Sequence, residues 1–174
     1  MFRKLFTHWL KNEEGLAAME AAMIFPILMT LLLGTFDMGN GILANQKAIR
    51  ASQITADLLA RNKSVNSTLL SESIEAGRLA FAPMSTTSYG IDIVSIRFDN
   101  NAQPQIVWRE TQNMTAVADV LDRVVPLATA GEGVLVVAVK YDFDPIFAGF
   151  IVDSIPMQEI AFARGRKTAV ITQE

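Results

Sequence analysis

The chain has no cysteine and a single histidine, His8. The first absence excludes disulfides, thiolate nucleophiles and cysteine-based metal sites. It does not define a compartment, because a periplasmic chain need not carry disulfides. His8 precedes the apolar run described below, so no Ser-His-Asp or Cys-His site can be built on the remaining residues. Long basic runs are also missing, and the aromatics are not interleaved with Lys and Arg, which leaves nucleic-acid binding without support. There is no internal repeat and no low-complexity tract. Nothing in the pattern points to a cofactor, and none is expected.

What the chain does have is apolar residues, 51% of the 174, gathered in one place. Ala21–Phe36 reads AAMIFPILMTLLLGTF and carries no charge. With Leu16–Glu20 added it is 21 residues long, a helix of about 31 Å against a hydrocarbon core of roughly 30 Å. One such segment makes the protein at most bitopic. Before it, MFRKLFTHWLKNEEG places Phe2, Leu5, Phe6, Trp9 and Leu10 on one helical face and Arg3, Lys4, His8 and Lys11 on the other. A short basic amphipathic helix of this kind is expected to lie on an anionic membrane surface, the alternative being the first turns of a longer helix. The apolar run is long for a secretory signal, holds Pro26 early and is followed by TFDMGNG rather than an A-x-A site, so it is expected to stay as an anchor. Lys and Arg number three before the span, with Lys47 and Arg50 after it, which favours a cytoplasmic N-terminus by a small margin.

One acid sits at the start of the span. A carboxylate deep in a bilayer costs about 2.5–3.5 kcal/mol, less near the edge. Glu20 either snorkels to the headgroups or has a partner. Cutting after Gly15 supplies one: the new α-amino group of Leu16 lies four positions from Glu20, or meets it between neighbouring helices. Gly15-Leu16-Ala17-Ala18-Met19-Glu20 resembles the G-x-x-x-x-E processing site of type IV pilin-like proteins. Residues 13–52 as a whole resemble the TadE-like pseudopilin family, in Gly15, Glu20, Pro26, Gly34, Asp37 and Gly39; Ala21 departs from the aromatic residue common after the glutamate.

The resemblance implies a minor pseudopilin of the tight-adherence (Flp) pilus system, cut between Gly15 and Leu16 by a prepilin peptidase at the cytoplasmic face of the bacterial inner membrane. Glu20 would align the subunit with a neighbour. The expected partners are that peptidase, other pilin-like subunits, the assembly platform and membrane lipid. The mature chain, of net charge −4, would present its head to the periplasm or enter an extracellular pilus.

The expected divisions are a leader (1–15), a transmembrane helix (16–38), a helical stalk (39–84) and a head (85–174). Pro26 is expected to kink the anchor. Gly34, Gly39 and Gly41 mark either a helix-to-loop boundary or a flexible joint. Lys47, Arg50, Asp57 and Arg61 share a face of the helix over 42–62, with Asp57 and Arg61 spaced to pair. Ser67 is placed to cap a second helix reaching Ala82. Ile91–Phe98, with a bulge at Ile93-Val94, QIVWRE, the strand of GEGVLVVAVKYDFDP and a last strand within 158–171 make an antiparallel sheet, with a short helix over 115–125. The fold class is α+β, a long N-terminal helix followed by a small pilin-like head. On β-strand alternation, Val137, Val139, Tyr141 and Phe143 face one way and Ala138, Lys140, Asp142 and Asp144 the other. Asp142, Asp144 and Asp99-Asn100-Asn101 are weighed as acid/base or calcium groups and read as a solvated face and a turn. Arg164, Arg166 and Lys167 are either strand-edge charges or an anion site. Three function classes follow: the non-enzymatic pilin-like assembly protein, an uncleaved bitopic binding or sensor protein, and a secreted hydrolase, disfavoured by the missing His and Cys.

Overall fold

The computed structural model describes residues 14–149 and 152–174. The basic segment before Glu14 lies outside them. Helix α1 runs without a break from Glu14 to Ala60, 47 residues, a length of about 70 Å. Its last half and helix α2 (Ser67–Leu79) form one layer. Strands β2 (Gly90–Phe98), β3 (Pro104–Gln112), β4 (Gly133–Phe143) and β5 (Ile155–Ala163) form an antiparallel sheet in the order β3-β2-β4-β5. A one-turn helix α3 (Val120–Val124), continued by a 3-10 turn containing Pro126, covers the other face. The fold is mixed α+β, with the long helix leading into a four-stranded antiparallel sheet.

Side-chain alternation assigns the two faces. Ile91, Ile93, Leu135, Val137, Val139, Tyr141 and Phe143 point to the helical layer, as the period-two pattern of β4 requires. Val94, Ile96, Phe98, Val134, Val136 and Ala138 point the other way, onto Val117, Val120 and Val124. Both faces of β2 are covered, so Ile93 and Val94 are consecutive buried residues on opposite faces and the expected bulge there is absent. The irregularity lies across the ladder instead. Ser95 pairs with Trp108 and Ile96 with Ile106, which leaves Val107 as the extra residue on β3.

Small residues let the helices approach the sheet and each other. Ala44, Ala48 and Ala51 recur on one stripe of α1 and are fully buried. At the crossing with α2, a Cβ on Gly77 would stand 2.4 Å from the Thr55 Oγ1 and 2.9 Å from the Tyr89 hydroxyl. The Thr55 hydroxyl donates to the Ser73 carbonyl at 3.1 Å across the same crossing. The cap of α2 is Asn66 rather than Ser67: its backbone is extended and its Oδ1 accepts the Leu69 N–H at 2.8 Å. Ser64–Val65, strand β1, fixes that geometry by pairing in parallel with the C-terminal Thr172–Gln173, strand β6. At the other end α2 stops at Leu79, short of Ala82, because Phe81 turns into the core and Lys47 Nζ takes the carbonyls of Ala82 (2.6 Å) and Ala80 (3.3 Å). Strand β5 ends at Ala163, and the chain then returns to β2 and β3, where the Ile171 carbonyl accepts from Ser95 Oγ (2.7 Å) and Trp108 Nε1 (2.8 Å).

One ion pair lies inside the outer layer. The buried Asp92 carboxylate on β2 is held in a fork by Arg109 on β3 and also accepts from Thr111 Oγ1 (2.7 Å) and the Val117 N–H (2.9 Å). Burial alone raises its pKa. The Arg109 hydrogen bonds, then those of Val117 and Thr111, outweigh it and hold the carboxyl below the ordinary value. The segment entering α3 is thereby tied to the sheet.

Two outcomes follow. Gly77→Ala forces the helix crossing apart and is expected to cost about 1–3 kcal/mol, read as a lower urea midpoint for the detergent-solubilised chain. Asp92 contributes stability that is complete above the unfolded carboxyl value of about 3.9 and is lost as pH falls through the lower folded value. Urea midpoints should therefore drop below about pH 4 in the native chain and change less there in Asp92→Asn, which at neutral pH costs about 3 kcal/mol by leaving Arg109 half-paired.

Candidate functional site at the anchor–head junction

The first half of α1 stands clear of the head. It is long and apolar enough to cross a membrane, and none of its most apolar window is buried among the described residues. Leu16, Met19, Met23, Phe25, Leu28 and Leu32 are all exposed. Gly15 opens this segment in the first turn of the helix, with nothing within 4 Å of where its Cβ would be, beside Leu16. Glu20 is one turn further, also exposed. The helix continues through Pro26, whose missing N–H leaves the Ala22 carbonyl without its helical donor. Two hydroxyls bond back to the backbone here, Thr30 to Pro26 (2.8 Å) and Thr35 to Leu31 (2.7 Å), and so hide their own polarity on the apolar surface.

Gly34 and Gly39 are also open, and no intrachain contact requires them to be glycine. Gly41 is different: its Cβ would reach 3.5 Å from the Phe143 ring. The expected helix-to-loop boundary at these glycines is not there. The helix passes through all three because its exit is held from the side.

Asp37 does the holding. Only 5% of it is exposed. Its carboxylate accepts three successive backbone N–H groups from the β4–β5 connection, those of Ile146 (2.9 Å), Phe147 (2.8 Å) and Ala148 (2.6 Å). Such a run of N–H groups aimed at one point is an anion nest, here filled by a side chain more than a hundred positions earlier. The Phe147 ring meets Phe36 edge-to-face with centroids 5.5 Å apart. Above the latch, an apolar groove of about 590 Å³ lies between α1 and the sheet, lined by Gly34, Met38, Ile42, Phe143, Val152 and Met157 among others. Sequence reasoning singled out Asp37 as part of an exit pattern and missed its partner. A loop backbone leaves no mark in side-chain type.

The remaining candidates are occupied in other ways. Asp99 Oδ1 accepts the N–H groups of Asn101 (2.8 Å) and Gln103 (2.9 Å) within its turn. Asp142 is 3.1 Å from Lys140. Arg166 pairs with Asp57, which also holds Arg61, and its N–H donates to the Ala60 carbonyl at 2.8 Å. Arg164 pairs with Glu132 and reaches the Leu127 carbonyl at 2.9 Å. These two arginines therefore bind the C-terminal segment to α1 and to the connection before β4. Both side chains stay largely exposed just past the edge strand β5, as the strand-edge reading has them.

These elements define a class: among the described residues, one long helix with an apolar first half suited to anchoring in a membrane, continuous with a small α+β head. The family model for TadE-like proteins matches residues 15–57, which is the anchor, its exit and the small-residue stripe, and ends before the sheet begins. That segment is TadE-like, which points to the tight-adherence pilus. No curated protein and no solved structure matches the chain significantly.

Asp37→Ala removes the acceptor of three N–H groups while leaving the helix and sheet contacts intact. The amides of Ile146, Phe147 and Ala148 are expected to exchange with solvent much faster than in the native chain, by hydrogen–deuterium exchange mass spectrometry of peptides covering 144–149, with strand β4 unchanged.

Proposed function

We propose that the protein is a minor pseudopilin of a tight-adherence pilus, made as a precursor and cut by a prepilin peptidase between Gly15 and Leu16. The observation that carries this reading is the coincidence of three things on one helix: the TadE-like match beginning at residue 15, an apolar surface that nothing among the described residues covers, and an exposed carboxylate five residues into the mature sequence. The bilayer covers that surface first. In an assembly, neighbouring anchor helices do so.

In this reading Glu20 pairs with an α-amino group. Within one chain the Leu16 amine is one helical turn away; between chains the amine of a neighbour meets the carboxylate as the helices pack. Either arrangement neutralises two charges in a low-dielectric setting, where an unpaired carboxylate is costly. The head projects into the periplasm and docks other pilus subunits, and no bond-making step falls to this chain.

Cleavage is tested by the intact mass and N-terminal sequence of the protein from native membranes. The expected chain starts at Leu16. A chain starting at Met1 in cells with an active peptidase overturns the reading in favour of an uncleaved anchored protein. Assembly is tested by Glu20→Gln, which keeps the size of the side chain and removes its charge. Surface pili are expected to be lost while the protein remains in the membrane at its usual level. Pili at native abundance would reduce Glu20 to an interfacial acid.

A further inference from the structure

The β4–β5 connection has a composition that its position in the head does not explain. From Pro145 to Val152 the sequence has no charged residue, and Asp144 and Asp153 flank it. Ile146 is 67% exposed, and Phe147 and Val152 are about 40% exposed. A loop at a protein's watery end is ordinarily polar. Here a buried carboxylate and an aromatic contact clamp apolar side chains in an outward position.

The location of the clamp supplies the reason. Asp37 is one residue past the apolar run, and Phe36, the last residue of that run, is the ring against Phe147. If residues 16–36 cross the hydrocarbon core, a rise of 1.5 Å per residue brings Phe36 to its far boundary. The loop is tied to the helix at that height and cannot leave it without breaking the latch. Met38 and Ile42 on α1 are exposed at the same end, and the apolar groove opens beside them. Bulk lipid always surrounds this level, whereas a second protein has to be recruited.

We propose that the β4–β5 connection is a membrane-docking loop: Ile146 and Phe147, with Val152 beside them, insert at the outer interface of the bilayer that α1 spans, and Asp37 is the residue that positions them. Contact at the helix and at the loop gives the head two points of attachment, which fixes its tilt where a single helix would let it swing. The flanking Asp144 and Asp153 stay on the aqueous side and limit the depth of entry. The proposal rests on α1 being a membrane anchor.

Because the chain has no cysteine, a single label can be introduced without removing any. The full chain carrying Ile146→Cys, labelled with an environment-sensitive fluorophore, is reconstituted into phosphatidylethanolamine–phosphatidylglycerol vesicles. Leu28→Cys reports on the anchor. Ser71→Cys on α2 serves as the distant control, since α2 packs beside Thr55, roughly 27 Å further along the helix than Asp37. The expected result is a blue-shifted emission at position 146, strong quenching by lipids brominated in the acyl chain and little by aqueous iodide, with the reverse at position 71. Adding Asp37→Ala should move position 146 several-fold towards iodide access while position 28 stays lipid-quenched. If position 28 is lipid-quenched and position 146 is open to iodide, the docking loop is wrong and the anchor stands. If position 28 is itself open to iodide, the anchor reading fails and the docking loop with it. Protection of position 146 that depends on protein-to-lipid ratio overturns the lipid assignment in favour of contact between protein chains.

Discussion

Helix α1 has to satisfy two surroundings without interruption. Before Phe36 its side chains are mostly exposed among the described residues, and from Asp37 onward one side of it becomes the floor of a sheet. A helix can do this because its own hydrogen bonds are made along its axis and do not depend on what lies outside it. The constraint falls on its side chains. They must be apolar all round where lipid or neighbouring helices cover them, and small on one stripe where the sheet comes close. Ala44, Ala48 and Ala51 meet the second demand. The remaining architecture follows from that stripe: the sheet packs down on it, α2 crosses beside it through Gly77, and the C-terminal segment is pulled back to it through Arg166 and Asp57.

The change of surroundings falls at Asp37, and the chemistry there is asymmetric. A carboxylate that is almost wholly covered needs every acceptor site it can fill, and three backbone N–H groups do this without a counter-ion. The partner loop gains as much, since three successive N–H groups outside any strand would otherwise lack acceptors. The two halves of the latch come from distant parts of the sequence, so neither is satisfied until the sheet has formed. The exit of the helix is thus stabilised by tertiary structure, at glycines whose intrinsic propensity would weaken it.

How much of this was legible depends on where the information sits. Periodicity is a property of consecutive residues, so the apolar helix, the alternation of β4 and the α+β class could be read directly. Features that depend on a remote partner could not. Asn66 caps α2 because β1 pairs with β6, which pins the backbone before it, and a two-residue parallel strand at the C-terminus has no pattern of its own. The break in apolar phase at Ile93-Val94 would mark a bulge on a strand with one wet face; with both faces covered, consecutive buried residues are the expected pattern of a central strand. At the candidate site, Gly15, Glu20 and Pro26 could be picked out by their unusual place in an apolar run. Asp37 could be noticed, but its task could not, since its three partners are backbone groups of residues that look like any loop.

Rigidity connects the two ends of the helix. No loop separates Glu20 from Asp37, and seventeen residues of helix place them about 26 Å apart along the axis. A pairing that fixes the azimuth of Glu20 against a neighbour therefore also sets the azimuth of the latch, and through Ile146–Ala148 that of strands β4 and β5. Bending at Pro26 or at the open glycines Gly34 and Gly39 would weaken this transmission; Pro26 and Gly34 lie on the anchor side of Asp37, and Gly39 stands just past it. From Gly41 to Ala60, where the sheet and α2 enclose the helix, no open glycine remains: Gly41 itself has the Phe143 ring against it. The soft positions of α1 are thus confined to the exposed anchor and the first turn past the latch, and are absent from the part that the sheet and α2 enclose.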